Sequence, residues 1–303
     1  MIKIKTYILF FQRYKQKLLE NWKIREIVKS ALKEDLPFGD ITSEILIPSK
    51  LYGKAFFLAK ENLVVCGKSV VEEVFNLIDP EIKIIWQVEE GAEAEAQSKL
   101  GFVEGNIKSI LKGERVALNF FQHLCGIATY TRKIVQKLAP YCTILLDTRK
   151  TLPGLKILQK YAVRVGGGKN HRFSLSDGIL IKDNHIKALG GINEVIKKLK
   201  NIPHYLKVEI EIKSLEELEI LLNSEAPVDI ILLDNFPAEK LKEAVNMIKS
   251  TKSHIKIEVS GGITLENVEA IAKTGIDYIS SGALTHSVKA VDISLKIDSI
   301  YNY

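Results

Sequence analysis

The chain has 303 residues, 46% of them hydrophobic, with a formal charge of +6 and a pI near 8.9, which supplies apolar surface for one large core and a smaller one, hence two domains. The positive charge is not a nucleic-acid signal, because Lys is spread at helical spacing beside Glu, as at Lys197-Lys198 and Glu239-Lys240, with no Arg-rich tail, zinc-ligand spacing or aromatic-basic RNA motif. Cys66, Cys125 and Cys142 are odd in number, far apart and form no C-x-x-C pair, which excludes a disulfide framework, indicates no metal and fits buried thiols in a reducing cytoplasm.

Residues 1–20 read as an N-terminal extension whose apolar patch, Tyr7 to Phe11, is too short to span a bilayer and lacks a cleavage site, so no membrane partner is expected. From Trp22 to Lys33 the apolar residues Ile24, Ile27, Val28, Ala31 and Leu32 follow helical spacing, and the segment closes on the turn Asp35 to Asp40. Strands are expected at Ala55 to Ala59, Leu63 to Cys66 and Lys83 to Val88, with a helix at Ser69 to Leu77. These form a small α+β unit. A long helix is expected from about Glu114 to Leu138; its apolar surface, Val116, Leu118, Phe120, Phe121, Leu124, Ile127 and Ala128, calls for burial between domains or subunits.

The texture then changes to a βα rhythm, which indicates a parallel sheet or barrel. Strands are expected at Thr143 to Leu146, Gly178 to Ile181, Tyr205 to Ile210, Asp229 to Leu233, Lys256 to Val259 and Asp277 to Ser280, with a further short one near Ala162 to Val165. Helices are expected near 153–161, 190–200, 214–223, 237–250 and 265–274. Each main strand ends in polar or flexible residues: Asp147, Arg149 and Lys150; Lys182 and Asp183; Glu211; Asp234; Ser260-Gly261-Gly262; Ser281-Gly282. In a βα barrel the site is built at the C-terminal strand ends, so these six ends should form one pocket.

Residues Asp147 to His185 carry eight Lys or Arg against three Asp, together with two His and the run Gly166-Gly167-Gly168. The run is neither a Walker loop nor a dinucleotide fingerprint, since no Gly-Lys-Ser/Thr follows and position 171 is His. Arg149 and Arg172 offer bidentate forks, while Lys150 and Lys182 add point charges, a set suited to a ligand with several anionic groups. His171, beside Arg172, is assigned to ligand contact. Ser260-Gly261-Gly262-Ile263-Thr264 leaves a strand for a helix that Thr264 can cap, and Ser281-Gly282-Ala283 repeats the logic, so both loops are expected to bind a phosphate. Glu211 and Asp234 end successive strands and should face one cavity, where two carboxylates can hold sugar hydroxyls or Mg²⁺, or steady a developing positive charge. Their pairing also matches glycoside hydrolysis, but the cations and glycine loops do not suit a neutral sugar.

With these residues assembled, the chain resembles the quinolinate phosphoribosyltransferases, also called carboxylating nicotinate-nucleotide pyrophosphorylases, from about Ile24 to Asp292. The resemblance is carried by Glu34-Asp35-Leu36-Pro37-Phe38-Gly39-Asp40-Ile41-Thr42, Gly113-Glu114-Arg115-Val116-Ala117-Leu118-Asn119-Phe120, Asp147-Thr148-Arg149-Lys150-Thr151, Gly166 to Arg172, Leu180-Ile181-Lys182-Asp183-Asn184-His185, Glu209-Ile210-Glu211, Leu232-Leu233-Asp234-Asn235 and Ser260-Gly261-Gly262-Ile263. It implies an α/β chain with an N-terminal open α/β sandwich over 21–125, an incomplete parallel βα barrel over 126–286, and residues 287–303 returning to the first domain.

The implied reaction joins quinolinate to phosphoribosyl pyrophosphate with Mg²⁺, releasing pyrophosphate and CO₂ and leaving nicotinate mononucleotide for NAD synthesis. Arg115, Thr148, Arg149, Lys150, His171, Arg172 and Lys182 are implied to line the dicarboxylate and pyrophosphate sites, with Arg115 reaching into a neighbouring subunit's pocket in a homodimer or higher assembly. Lys150, Lys182, Glu211 and Asp234 are implied to act in catalysis. Glu211 and Asp234 would hold the ribose hydroxyls, directly or through Mg²⁺, and Ser260 to Gly262 with Ser281 to Ala283 would hold the 5′-phosphate. The phosphoribosyltransferase-like proteins of molybdate operons, nicotinate phosphoribosyltransferases and a non-catalytic sensor on the same barrel are the alternatives. The cation set suits two carboxylates, and a sensor has no need of Glu211 and Asp234.

Overall fold

The computed structural model describes residues 22–199, 202–203 and 206–302. The extension over 1–20, the expected helix end at 200 and the expected strand start at Tyr205 lie outside the described residues. In chain order the first elements are α1 (22–35), α2 (Ile41–Leu46), β1 (Leu51–Ala59), β2 (Leu63–Val64), α3 (Lys68–Ile78), β3 (Lys83–Trp86), β4 (Glu93–Ala94), β5 (Lys99–Asn106) and α4 (Ile107–Leu138). Then follow β6 (Ile144–Leu146), α5 (Lys156–Val165), β7 (Ile179–Ile181), α6 (Asp183–Leu189), α7 (Ile192–Leu199), β8 (Val208–Ile212), α8 (Leu215–Leu222), β9 (Ile230–Asp234), α9 (Ala238–Thr251), β10 (Lys256–Ser260), α10 (Val268–Ala272), β11 (Tyr278–Ser280), α11 (Ala283–His286) and β12 (Ile293–Asn302). Among the described residues no helix is long and apolar enough to cross a membrane.

The described chain divides into two compact units: residues through Thr129 with Leu152–Gly166 and Val288 onward, and Tyr130–Thr151 with Gly167–Ser287. The first unit is built on an antiparallel sheet in the order β12-β1-β5-β3, with β2 and β4 as a separate pair. The chain's last strand pairs along the whole of β1, from Leu51 opposite Asn302 to Ala59 opposite Ile293. β1 alternates buried and half-buried positions until Phe57, as a strand with one covered face should. Phe57 stacks on Trp86 at 5.6 Å and meets Phe121 edge-on at 5.6 Å, so the core joins β1, β3 and α4 through three aromatic rings. The helix α3 buries Val70, Val71, Val74 and Phe75, a helical stripe, against this core.

The apolar residues of α4, from Val116 to Ala128, are buried within the single chain. One expectation fails in this unit. The segment Ala162 to Val165 is the last turn of α5, whose buried positions Leu158, Gln159, Ala162 and Val163 recur with helical and not strand period. β5 and β12 have no counterpart among the expected strands. Gly101 and Gly105 interrupt the β-pattern of the first of these.

The second unit is a parallel sheet in the order β6-β11-β10-β9-β8-β7, with β6 and β7 as its two edges, the incomplete barrel. Its six strands fall where six were expected, shifted by one to three residues. The helix α6 was not foreseen, because Lys182 ends β7 and at once serves as N-cap residue for the next turn. Of the three thiols, Cys66 and Cys125 are buried as expected and Cys142 is exposed.

Gly126 of α4 lies against the backbone of residues 289–290, and a Cβ at this position would overlap the Lys289 carbonyl. Gly→Ala in an ordinary helix gains about 1 kcal/mol. Here the overlap reverses the sign, and Gly126→Ala is expected to lose about 1–3 kcal/mol, read as a fall in the thermal midpoint; an unchanged or higher midpoint would contradict the close approach.

Candidate active site

Side chains alternate across a strand, so every second residue of a parallel sheet shares one face. In this sheet Glu211 stands opposite Leu232, Leu232 opposite Glu258, and Asp234 opposite Ser260, which itself stands opposite Ser280. These residues line one cavity of about 680 Å³. The strand ends complete it: Thr148, Arg149 and Lys150 after β6, Lys182 and Asp183 after β7, Gly261 and Gly262 after β10, Ser281, Gly282 and Ala283 after β11. His171 and Arg172 come from the segment that follows α5. Every site residue expected from the sequence is therefore in the lining except Arg115, which is exposed on α4 in the first unit.

Asp147 brings the 169–172 segment to the cavity. It is fully buried, accepts the His171 N–H at 2.9 Å on one oxygen and the Asn170 amide at 2.5 Å on the other. The Asp147 N–H donates to the Lys169 carbonyl, the Lys169 N–H to the Leu145 carbonyl, and a parallel bridge joins Leu146 to Lys169. The segment thus lies along the edge strand β6. Arg172 donates to the Gly178 carbonyl at 3.2 Å; burial, and then the neighbouring Arg149, pull its pKa below the usual guanidinium range. Two cations this close, one partly desolvated, form a site that an anion would relieve.

On the opposite wall Glu211 is buried, and its two oxygens lie 3.6 Å from Lys182 Nζ and 3.6 Å from Lys213 Nζ. Lys213 is itself paired at 2.7 Å with Asp183; that bond raises the Lys213 pKa and lowers the Asp183 pKa. Asp234 accepts from Ser260 Oγ at 2.5 Å and from the Asn235 amide at 3.0 Å. The backbone at Asn235, φ +51°, and at Gly261 and Gly262, φ +94° and +59°, is left-handed. A Cβ on Gly261 would also overlap the Asn235 side chain, so this turn admits only glycine there.

The turn differs from expectation in one respect. Thr264 does not cap a helix; its hydroxyl accepts the Glu266 N–H within a turn, and α10 begins only at Val268 behind Asn267. No helix end therefore points from Gly261-Gly262 toward the cavity. Any anion there would be held by the backbone N–H groups of the glycine turn itself.

Glu209 and Glu258 also line the cavity, and neither is among the site residues expected from the sequence. Both are almost fully buried, at 5% and 1% exposure, and Glu209 accepts from or donates to His171 Nε2 across 2.9 Å according to proton position. Glu258 Oε2 lies 3.7 Å from the same nitrogen. Burial, and next the Glu209 charge, push the Glu258 pKa up to about 7. The signal was present in the strands: Glu209 is two residues from Glu211 and must share its face, and Glu258 is a lone carboxylate inside an apolar run. A second cavity of about 510 Å³ opens near the strand starts, lined by Ile144, Ile179, Ile230 and Tyr278, and it shares His171, Arg172, Glu209 and Glu258 with the first.

The donor chemistry of Glu211 and Asp234 fits Mg²⁺. That ion prefers hard oxygen ligands, keeps several waters and takes one or two carboxylates plus substrate phosphates. Two carboxylates lining one cavity would provide that partial shell, and the Lys ammonium groups nearest Glu211 stand beyond hydrogen-bond distance.

Comparison with known proteins agrees with this geometry. The family models for quinolinate phosphoribosyl transferase match here as an N-terminal domain over residues 40–125 and a C-terminal domain over residues 127–296. The chain is 42% identical over 297 residues to a Nicotiana tabacum protein named quinolinate phosphoribosyltransferase [decarboxylating] 2b, mitochondrial, covering 91% of this chain and 82% of that one. It is 42% identical over 267 residues to a probable nicotinate-nucleotide pyrophosphorylase [carboxylating] from Synechocystis, covering 88% and 90% of the two chains. Among solved structures it is similar to the nicotinate-nucleotide pyrophosphorylase of Francisella tularensis, with a TM-score of 0.84, 41% identity and coverage of 92% and 97%.

Proposed function

The chain belongs to the quinolinate phosphoribosyltransferase family, and from that premise we propose how its pocket divides the work. The enzyme transfers the phosphoribosyl group of phosphoribosyl pyrophosphate to quinolinate with loss of CO₂, forming nicotinate mononucleotide and pyrophosphate in NAD biosynthesis. The observation that supports the assignment of roles is the meeting, in one cavity, of Arg149, Lys150, His171, Arg172 and Lys182 with Glu211 and Asp234.

Quinolinate is a dianion and the ribosyl donor carries several more negative charges, so each unscreened pair at ~5 Å costs about 3 kcal/mol at an effective ε of ~20. The cationic wall removes that barrier. Arg149, His171 and Arg172 hold the dicarboxylate, with Thr148 beside them, while Lys150 and Lys182 reach toward the pyrophosphate. The turns at Ser260-Gly261-Gly262 and Ser281-Gly282-Ala283 hold the 5′-phosphate. Glu211 and Asp234 hold the ribose hydroxyls, directly or through Mg²⁺, which when bound supplies charge neutralisation to the departing pyrophosphate. As the C–O bond to pyrophosphate breaks, positive charge grows on the ribose ring and the two carboxylates stabilise it. The ring nitrogen of quinolinate attacks, its positive charge then serves as electron sink for the adjacent carboxylate, and no protein nucleophile is required.

We also propose a homodimer, open to further assembly, in which Arg115 completes the partner's pocket. Arg115 and Asn119 are exposed on α4, and the exposed Phe38, Ile41 and Ile45 at and before α2 offer apolar area for a second copy. Three free thiols fit a reducing compartment such as the cytoplasm.

Purified protein with Mg²⁺, quinolinate and phosphoribosyl pyrophosphate is expected to release CO₂ and nicotinate mononucleotide in equal amounts; turnover of nicotinate with none of quinolinate would sink the assignment. Arg115→Ala and Lys182→Ala proteins, each inactive, are expected to regain up to about a quarter of wild-type activity when mixed under exchange, because a random hybrid carries one intact pocket. No recovery after confirmed subunit exchange would count against a shared pocket.

A further inference from the structure

Loss of CO₂ leaves an electron pair on the ring carbon that carried the carboxylate, and that carbon must gain a proton before product forms. The roles assigned above bind the substrates and balance their charge, and none of them delivers a proton to that carbon. At the pocket floor, however, His171, Glu209 and Glu258 bring one nitrogen and two carboxylate oxygens within 4.8 Å of one another. One oxygen of each carboxylate, Glu209 Oε1 and Glu258 Oε2, is buried without a hydrogen-bond partner. Leaving a buried acceptor unsatisfied is costly, and two facing carboxylates add repulsion, so the arrangement has a reason only if something occupies it. A proton is the smallest such occupant.

We infer that Glu258 is the proton reservoir for the carbon that loses CO₂, passing its proton through His171. This rests on the reading that His171 contacts quinolinate. In the step, the C–C bond to the carboxylate breaks and its electron pair stays on the ring carbon. A ring N–H of His171 protonates that carbon, CO₂ departs, and His171 recovers a proton from Glu258, which is recharged from water. One proton is consumed per turnover, as the overall reaction requires.

Each part has a place in the structure. Glu209, hydrogen-bonded to His171 Nε2, holds the ring, and Asp147 holds its backbone. Glu258 lies 3.7 Å from the ring nitrogen, within one small side-chain movement or one bridging water. The groups that face it are Glu209 from β8, His171 from the segment after α5, Ser280 from β11 and Lys182 at the end of β7. Burial and Glu209 favour its neutral form, and they outweigh His171, Ser280 and Lys182, so near pH 7 a substantial fraction holds a proton. The second cavity reaches Glu258 from the strand starts, away from the substrate pocket, and gives water a route to recharge it.

Stopped-flow measurement of pyrophosphate and CO₂ release on the full-length enzyme, with Mg²⁺ and both substrates, separates the steps. In the wild type, CO₂ release is expected to slow as pH rises through about 7, where Glu258 loses its proton, and to slow further in D₂O, while pyrophosphate release in the first turnover follows neither. In Glu258→Gln, CO₂ release is expected to fall about 100-fold behind pyrophosphate release and to lose the alkaline limb, and Glu258→Asp is expected to restore part of the rate. Equal slowing of both products in Glu258→Gln, or an alkaline limb that persists in it, overturns the inference. So does a metal ion bound in stoichiometric amount by wild type and lost in Glu258→Gln. If neither variant folds, an alkaline limb and a D₂O effect missing from wild-type CO₂ release overturn it alone. Absence of any pyrophosphate release with quinolinate instead removes the assigned reaction, a different result.

Discussion

The inward row of a parallel sheet is the constraint on which the site depends. Because side chains alternate and neighbouring strands are in register, charged residues two positions apart on one strand must enter the same space. β8 places Glu209 and Glu211 there, β9 Asp234, and β10 Glu258 with Ser260. With Asp183 after β7, five carboxylates in one cavity are an unstable arrangement by themselves. The cations of the edge segments, Arg149, Lys150, Arg172 and Lys182, make it tenable, and they come from chain that the incomplete barrel leaves free to fold inward.

The charges are sorted by depth. At the mouth, Lys182, Lys213 and Asp183 are half exposed, and their pairs are loose enough to exchange for ligand groups. At the floor, Glu209, Glu258 and Asp147 are buried, and each is committed to His171 or to the backbone that carries it.

Much of this was legible from residues alone. The βα rhythm after residue 140 located six strands, and polar residues at their ends located the pocket; of the expected site residues only Arg115 falls outside its lining in a single chain. What escaped has physical causes. Ala162 to Val165 is too short and too apolar to separate helix from strand by pattern, and α5 continues through it. The helix expected from 265, capped by Thr264, starts three residues later because Asn267 and Thr264 close a turn first. Nothing in the sequence says which elements meet the apolar face of α4; Phe57 of β1 and Trp86 of β3 pack on its Phe121. Glu209 and Glu258 were hidden by expecting carboxylates only at strand tips, although the period of two carries the inward row down to the floor.

In the proposed division of roles the cationic wall reads two carboxylates and not one. It is tested most directly by calorimetric titration of quinolinate and nicotinate into wild type and into Arg172→Met. Quinolinate is expected to bind wild type about 100-fold more tightly than nicotinate, the worth of one charge-assisted bidentate contact, and this preference is expected to fall below about tenfold in Arg172→Met with nicotinate affinity nearly unchanged. Equal affinities in wild type, or a preference that survives in the variant, would contradict it.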